Sequence, residues 1–224
     1  DSADVNARDR NGHTALHWAA MAGRKEVAAL LLANGADIEA ADDNGSTPLY
    51  SAMADMAELL ISHGANVNAR DRFNGTPLHA AARAGRKDVA EMLLAHGAEI
   101  DAVDKFGWTP LYRTGLSFRE GAPACTVVAE FLLATGAKTE SGQTYHNRTL
   151  LLLAARNGSE ALVRRLLAEG ANPNARDDLA TDNTALLYAV MYRHKSVAEM
   201  LIVGGADVNA ESAWHRRPLF AAIS

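Results

Sequence analysis

Eight histidines and one cysteine are the residues of this 224-residue chain with the widest chemical range. His13 and His17 stand four apart, the spacing that sets two imidazole nitrogens on one helical face to grip a metal. No third ligand lies near in sequence, and His13 precedes Thr14, where a helix would begin. His17 and His79 close the quartets Thr-Ala-Leu-His and Thr-Pro-Leu-His, but Tyr50, Tyr112, Leu152, Leu187 and Phe220 hold that position elsewhere. A position that accepts Leu or Phe serves packing rather than proton transfer. Cys125 has His146 downstream but no local signature of a nucleophile, so it is expected to be a small apolar filler and a convenient labelling site. The chain has no phosphate-binding loop, no Gly-x-Ser-x-Gly elbow and no dinucleotide fingerprint. The expectation is no catalysis, no cofactor and no metal.

The bulk composition narrows the remaining classes. The chain is 48% hydrophobic and 22% charged, which excludes disorder. Its longest apolar runs, such as residues 150–155, fall far short of the roughly 20 needed to span a membrane. A single cysteine excludes an internal disulfide framework. A net charge of −5 and a pI near 5.9 lack the basic footprint of a nucleic-acid binder. With no N-terminal signal segment in this chain, the expected location is intracellular, in the cytoplasm. Alanine supplies 45 residues and aromatics only 13, which suits helices packed closely on small side chains better than one broad core.

The elements that position these residues repeat. Thr14, Thr47, Thr76, Thr109, Thr149, Thr184 and Arg217 open related segments, separated by 33, 29, 33, 40, 35 and 33 residues. A second motif runs in phase: Gly35-Ala36-Asp37-Ile38-Glu39, Gly64-Ala65-Asn66-Val67-Asn68 and Gly97-Ala98-Glu99-Ile100-Asp101. It recurs from Gly136, Gly170 and Gly205. A period of 33 with Thr-Pro-Leu-His and Gly-Ala-Asp-Val-Asn resembles the ankyrin repeat over essentially the whole chain.

The residues make physical sense without the family. Each Thr can cap a helix with its hydroxyl, and Pro48, Pro77 and Pro110 occupy the first helical position, where no N–H is needed. Ala19-Ala20 and Ala81-Ala82 let a neighbouring helix approach. Gly23, Gly85 and Gly158 supply a turn, and Val27, Leu30, Leu31 or Val89, Met92, Leu93 give a second helix its apolar face. Gly35, Gly64, Gly97, Gly136, Gly170 and Gly205 fall where a left-handed residue ends that helix. The remainder is too short for a helix and reads as a hairpin-like loop. The expected fold is an all-α solenoid of stacked helix-turn-helix repeats with β-hairpin-like loops. The single domain, 1–224, divides into a partial repeat 1–8, repeats 9–41, 42–70, 71–103, 104–143, 144–176 and 177–211, and a partial repeat 212–224. Starting and stopping inside repeats suggests a piece of a longer protein.

Two departures from the period stand out. The second repeat is four residues short and has no inter-helix glycine, which makes it the expected weak joint. The fourth is six residues longer between its Thr and its Gly, an insertion near 113–126 expected to be a surface loop that either is tolerated or meets a partner.

The resemblance implies a protein or peptide partner, bound by loop tips and the inner face of the first helices in a monomeric array. The alternative is the recognition domain of a larger enzyme, channel or effector. Phe73, Phe106, Trp108, Tyr145 and Trp214 fall at loop tips, where no repeat core needs them, and Arg72, Arg83, Lys105, Arg148 and Arg156 flank them. Aromatic and Arg residues dominate interface energetics. A groove centred on repeats three to five and favouring a partly acidic segment is therefore expected. The paired change Phe106→Ala with Trp108→Ala is expected to abolish binding and leave the thermal transition nearly unchanged. The resemblance also marks Asn6, Asn68, Asn174 and Asn209 as a position hydroxylated in some animal proteins, with bonding within its own loop as the expected role.

Overall fold

The structure, a computed structural model, describes residues 4–116, 123–139, 149–177 and 181–218. Twelve α-helices lie among them and pair in chain order. They are α1 (Ala15–Met21) with α2 (Lys25–Ala33), α3 (Pro48–Ser51) with α4 (Ala54–Ser62), and α5 (Pro77–Ala84) with α6 (Lys87–Ala95). Next come α7 (Pro110–Gly115) with α8 (Pro123–Ala134), α9 (Leu150–Asn157) with α10 (Glu160–Ala168), and α11 (Ala185–Met191) with α12 (Lys195–Val203). The first helices touch in the row α1, α3, α5, α7, α9, α11, and the second helices form a parallel row behind them. There is no strand among the described residues, only an isolated antiparallel bridge between Arg176 and Thr184. This is an all-α repeat solenoid.

The sequence logic of each helix is visible in its ends. Thr109, Thr149 and Thr184 accept the backbone N–H of Tyr112, Leu152 and Leu187. Thr14 and Thr76 close capping boxes with His17 and His79. Thr47 departs from the expected cap: it is buried and its hydroxyl finds no hydrogen-bond partner among the described residues. The six glycines that follow the second helices are all left-handed, with φ from 84° to 101°. The core is a thin line of Leu16, Leu49, Leu78, Leu111 and Leu151, with Ala20, Ala82, Ala155 and Ala189 where helices meet. Truncating one such Leu to Ala costs ~2–5 kcal/mol.

Loops are tied to their neighbours by the backbone. Asp9, Asp42, Asp71 and Asp104 each donate an N–H across a tight hairpin, to the carbonyls of His13, Ser46, Gly75 and Trp108. Their carboxylates accept N–H groups two and four residues on, as Asp104 does from Phe106 at 2.8 Å and Trp108 at 3.0 Å. Successive tips then join: Asp43 N–H to the Asn11 carbonyl, Arg72 to Asn44, and Lys105 to Phe73 at 2.9 Å. The Asn at the end of the second motif reaches the next loop rather than its own. Asn68 donates to the Gly97 carbonyl and accepts from the Glu99 N–H, and Asn6 and Asn174 do the same one loop on. A carboxamide carries both a donor and an acceptor. Glu39 and Asp101, in the same register, keep only the acceptor half, toward the Asn66 and Lys138 N–H groups.

The insertion near 113–126 is helical at both described ends. Arg113 through Gly115 complete α7, and residues from Pro123 onward belong to α8, which runs twelve residues against nine for the other second helices. Burial of Val128, Ala129 and Leu132 explains why this segment prefers helix to loop. Residues 117–122 lie outside the described set. Cys125 is buried on α8 and its thiol donates to the Arg83 carbonyl at 3.6 Å, so it is the expected filler but not an accessible labelling site.

Candidate partner-binding surface

His17 and His79 settle into structural roles. The Thr14 N–H donates to His17 Nδ1 at 3.1 Å, which leaves the ring proton on Nε2, 3.0 Å from the Ser46 carbonyl of the next hairpin. His79 repeats this with Thr76 and Trp108. Burial holds both imidazoles below their ordinary pKa. Neither nitrogen of His17 remains for a ligand, and among the described residues no three His, Cys, Asp or Glu side chains gather as a metal site. No helix among them is long and apolar enough to cross a membrane.

The loop tips bring four rings into one stack. Phe73 and Phe106 lie with centroids 6.2 Å apart and planes 22° apart. Phe106 stacks on Trp108 at 4.9 Å, and Trp108 on Tyr112 at 5.6 Å. Tyr112 is fully buried on α7, so the stack runs from the half-buried Phe73 into the core. Hairpin pairing sets its register, since the Lys105 N–H bonded to the Phe73 carbonyl brings the two tips together.

Two cations dress the stack. Lys105 Nζ stands 3.7 Å from the Phe73 centroid and 5.1 Å from that of Phe106. The Arg113 guanidinium lies 4.7 Å over Trp108 and pairs with the fully buried Asp104 carboxylate, through Nε at 2.9 Å and through Nη2. Asp104 thus orders its own loop with one oxygen and fixes Arg113 with the other.

Of the residues singled out from sequence, Phe73, Lys105, Phe106 and Trp108 come together here. Arg72 is exposed on the tip preceding Phe73, and Arg83 is exposed on the last turn of α5. Trp108 is half-buried and packs on the core, so it also serves the fold. That alters the expectation that losing it together with Phe106 leaves the thermal transition nearly unchanged. Arg156 lies 5.7 Å from the Tyr192 ring in the following repeat, and Trp214 is 65% exposed on a later tip. Tyr145 and Arg148 lie outside the described residues. Tyr112, expected only to pack, and Arg113 join the group as well; the sequence signal for them is Trp108-x-x-x-Tyr112, one helical turn across the Thr109 cap.

A cleft opens beside this stack. It has a volume of 210 Å³ and is lined by Tyr50 and Ser51 of α3, His79, Ala80, Arg83 and Ala84 of α5, Arg86 and Arg113. Burial, and then the carboxylate of Asp71 accepting its hydroxyl, pushes the Tyr50 phenol well above its ordinary range.

Known proteins share this architecture. The family described as Ankyrin repeats (3 copies) matches at residues 1–71, 54–117 and 124–212. The human mitochondrial disaggregase is 36% identical over 95 residues, which is 42% of this chain and 13% of that protein. The zebrafish neurogenic locus notch homolog protein 1 is 32% identical over 215 residues, 96% of this chain but 6% of that protein. Among solved structures, the human ASB11 ankyrin repeat domain superposes with a TM-score of 0.67 at 24% identity, covering 94% of this chain and 92% of that one. The ankyrin repeat domain of Bcl-3 superposes at 0.62 with 26% identity, covering 96% of each chain. With its period, hairpin ladder and family match in agreement, this chain belongs to the ankyrin repeat family.

Proposed function

We propose that the chain is a non-catalytic binding module for a protein or peptide, whose contact surface is the Phe73–Phe106–Trp108 stack with Arg72, Arg83 and Lys105 around it. The observation that carries this reading is the stack itself. Three half-buried rings held in register by a hairpin ladder offer rigid contact area at low entropic cost. Ankyrin repeats are generally interaction modules, and that coarser statement agrees with the family assignment. Arg156 and Trp214, together with Tyr145 and Arg148, would extend the surface toward the C-terminal repeats.

Panning a random-sequence peptide library against the full chain tests the proposal. Enriched peptides should lose binding to the Lys105→Ala, Phe106→Ala variant while its thermal transition stays close to that of the parent. Peptides that bind the variant unchanged would place the contact surface elsewhere.

A second reading is favoured by one observation: the matched relatives are far longer than this chain, with 13% and 6% of their lengths aligned. The module would then be the recognition part of a larger enzyme, channel or effector. The full open reading frame decides this; a frame that encodes the array alone excludes it.

A further inference from the structure

We infer that the cleft beside Arg83 is a carboxylate-binding pocket that takes one Asp or Glu side chain of a partner segment lying along the aromatic stack; this rests on the binding reading above. The cleft exists because α3 has only four residues where α1, α5, α9 and α11 have seven or eight. The missing turn leaves the flank of α5 at Ala80 and Ala84 uncovered.

Arginine fills part of the gap. The Arg86 guanidinium donates from Nη1 to the Ser51 and Ala52 carbonyls at 3.1 and 3.3 Å, at the C-terminal end of the truncated helix. Arg113 is held by Asp104. Arg83 has no ion pair among the described residues, is exposed and lines the cleft.

Three guanidiniums therefore line a cleft to which no carboxylate contributes. The two acids behind it are committed, Asp104 to Arg113 and Asp71 to its own loop and Tyr50. In a chain of net charge −5 this is a local inversion of sign. The Arg83 fork is free to hold a carboxylate in a bidentate pair. Arg113 belongs to both features, lying over Trp108 and lining the cleft, so a segment laid on the rings passes the pocket mouth. One uncommitted guanidinium matches the single charge of a carboxylate.

Peptides enriched on the full chain provide the test, by fluorescence anisotropy with labelled peptides. The enriched set should carry Asp or Glu at one fixed position. Replacing that acid by its amide should weaken binding about tenfold or more, and Arg83→Gln should erase the difference between acid and amide. The Lys105→Ala, Phe106→Ala variant should weaken both peptides alike. An enriched set with no fixed acid, or an acid preference that survives Arg83→Gln, overturns the pocket while the aromatic surface stands. Tighter binding of phosphoserine than of Glu at that position overturns the assignment to a carboxylate. No enrichment at all overturns the binding reading and the pocket with it.

Discussion

His79 Nε2 lies 3.0 Å from the carbonyl of Trp108, so a side chain on one repeat fixes the backbone that carries the central ring of the next. The same bond runs from His17 to Ser46. Each imidazole thereby closes its own helix cap and holds the following hairpin, which is why both must stay neutral: protonation would turn the Nδ1 acceptor into a donor facing the Thr N–H.

The pH dependence follows from that arrangement. Burial lowers the folded pKa of both histidines, while the unfolded chain takes up their protons near the ordinary value of about 6.5. Stability is therefore fully present above about pH 6.5 and falls as the pH drops from there through the folded values. Urea midpoints measured down to about pH 5 should show this slope, and it should flatten in His17→Leu, His79→Leu. Leu is the residue that positions 152 and 187 already carry in the same register.

The shortened second repeat depends on its neighbour. Arg86→Ala removes both hydrogen bonds to the end of α3 and should cost ~1–3 kcal/mol, the range for charge-assisted bonds to half-buried carbonyls. Hydrogen exchange should already be faster in α3 and α4 of the parent than in α5 and α6, and faster still in the variant. Equal protection of the two pairs would refute the weak joint.

Gly85 has two reasons to be glycine and Gly35 has one. Both are left-handed, at φ 70° and 84°. A Cβ on Gly85 would meet Ala124 Cβ at 2.7 Å, whereas one on Gly35 meets nothing within 4 Å. Gly35→Ala should cost only the conformational term of ~1–2 kcal/mol, and Gly85→Ala distinctly more, with α8 displaced. Denaturant melts of the two variants compare them directly.

Cys125 should resist thiol reagents in the folded chain, because it is 4% exposed and its thiol faces the Arg83 carbonyl. Its labelling rate should rise to that of a free thiol in denaturant. Rapid labelling of the native protein would show that the start of α8 opens.

Much of this was legible in the sequence because repetition makes local chemistry visible. Thr before Pro-Leu announces a cap, Gly-Ala announces a helix end, and departures from the 33-residue spacing locate the irregular repeats. What stayed hidden was whatever crosses from one repeat to the next. Asn68 was expected to bond within its own loop, but its carboxamide spans to Gly97 and Glu99. Trp108 reads as a loop-tip ring, yet its stacking on Tyr112 is set by the angle between hairpin and helix, which one-dimensional spacing does not carry. The arginine-lined cleft is the clearest case. It arises from residues of three repeats meeting around an absent helical turn, and an absence leaves only a shorter interval in the sequence.

The central claim is that the aromatic stack and its cations form the contact surface. The most direct test is the affinity of library-selected peptides for the parent and for Lys105→Ala, Phe106→Ala, with thermal melts of both. The account predicts loss of about tenfold or more in affinity with little change in melting temperature. Undiminished affinity in a folded variant would contradict it.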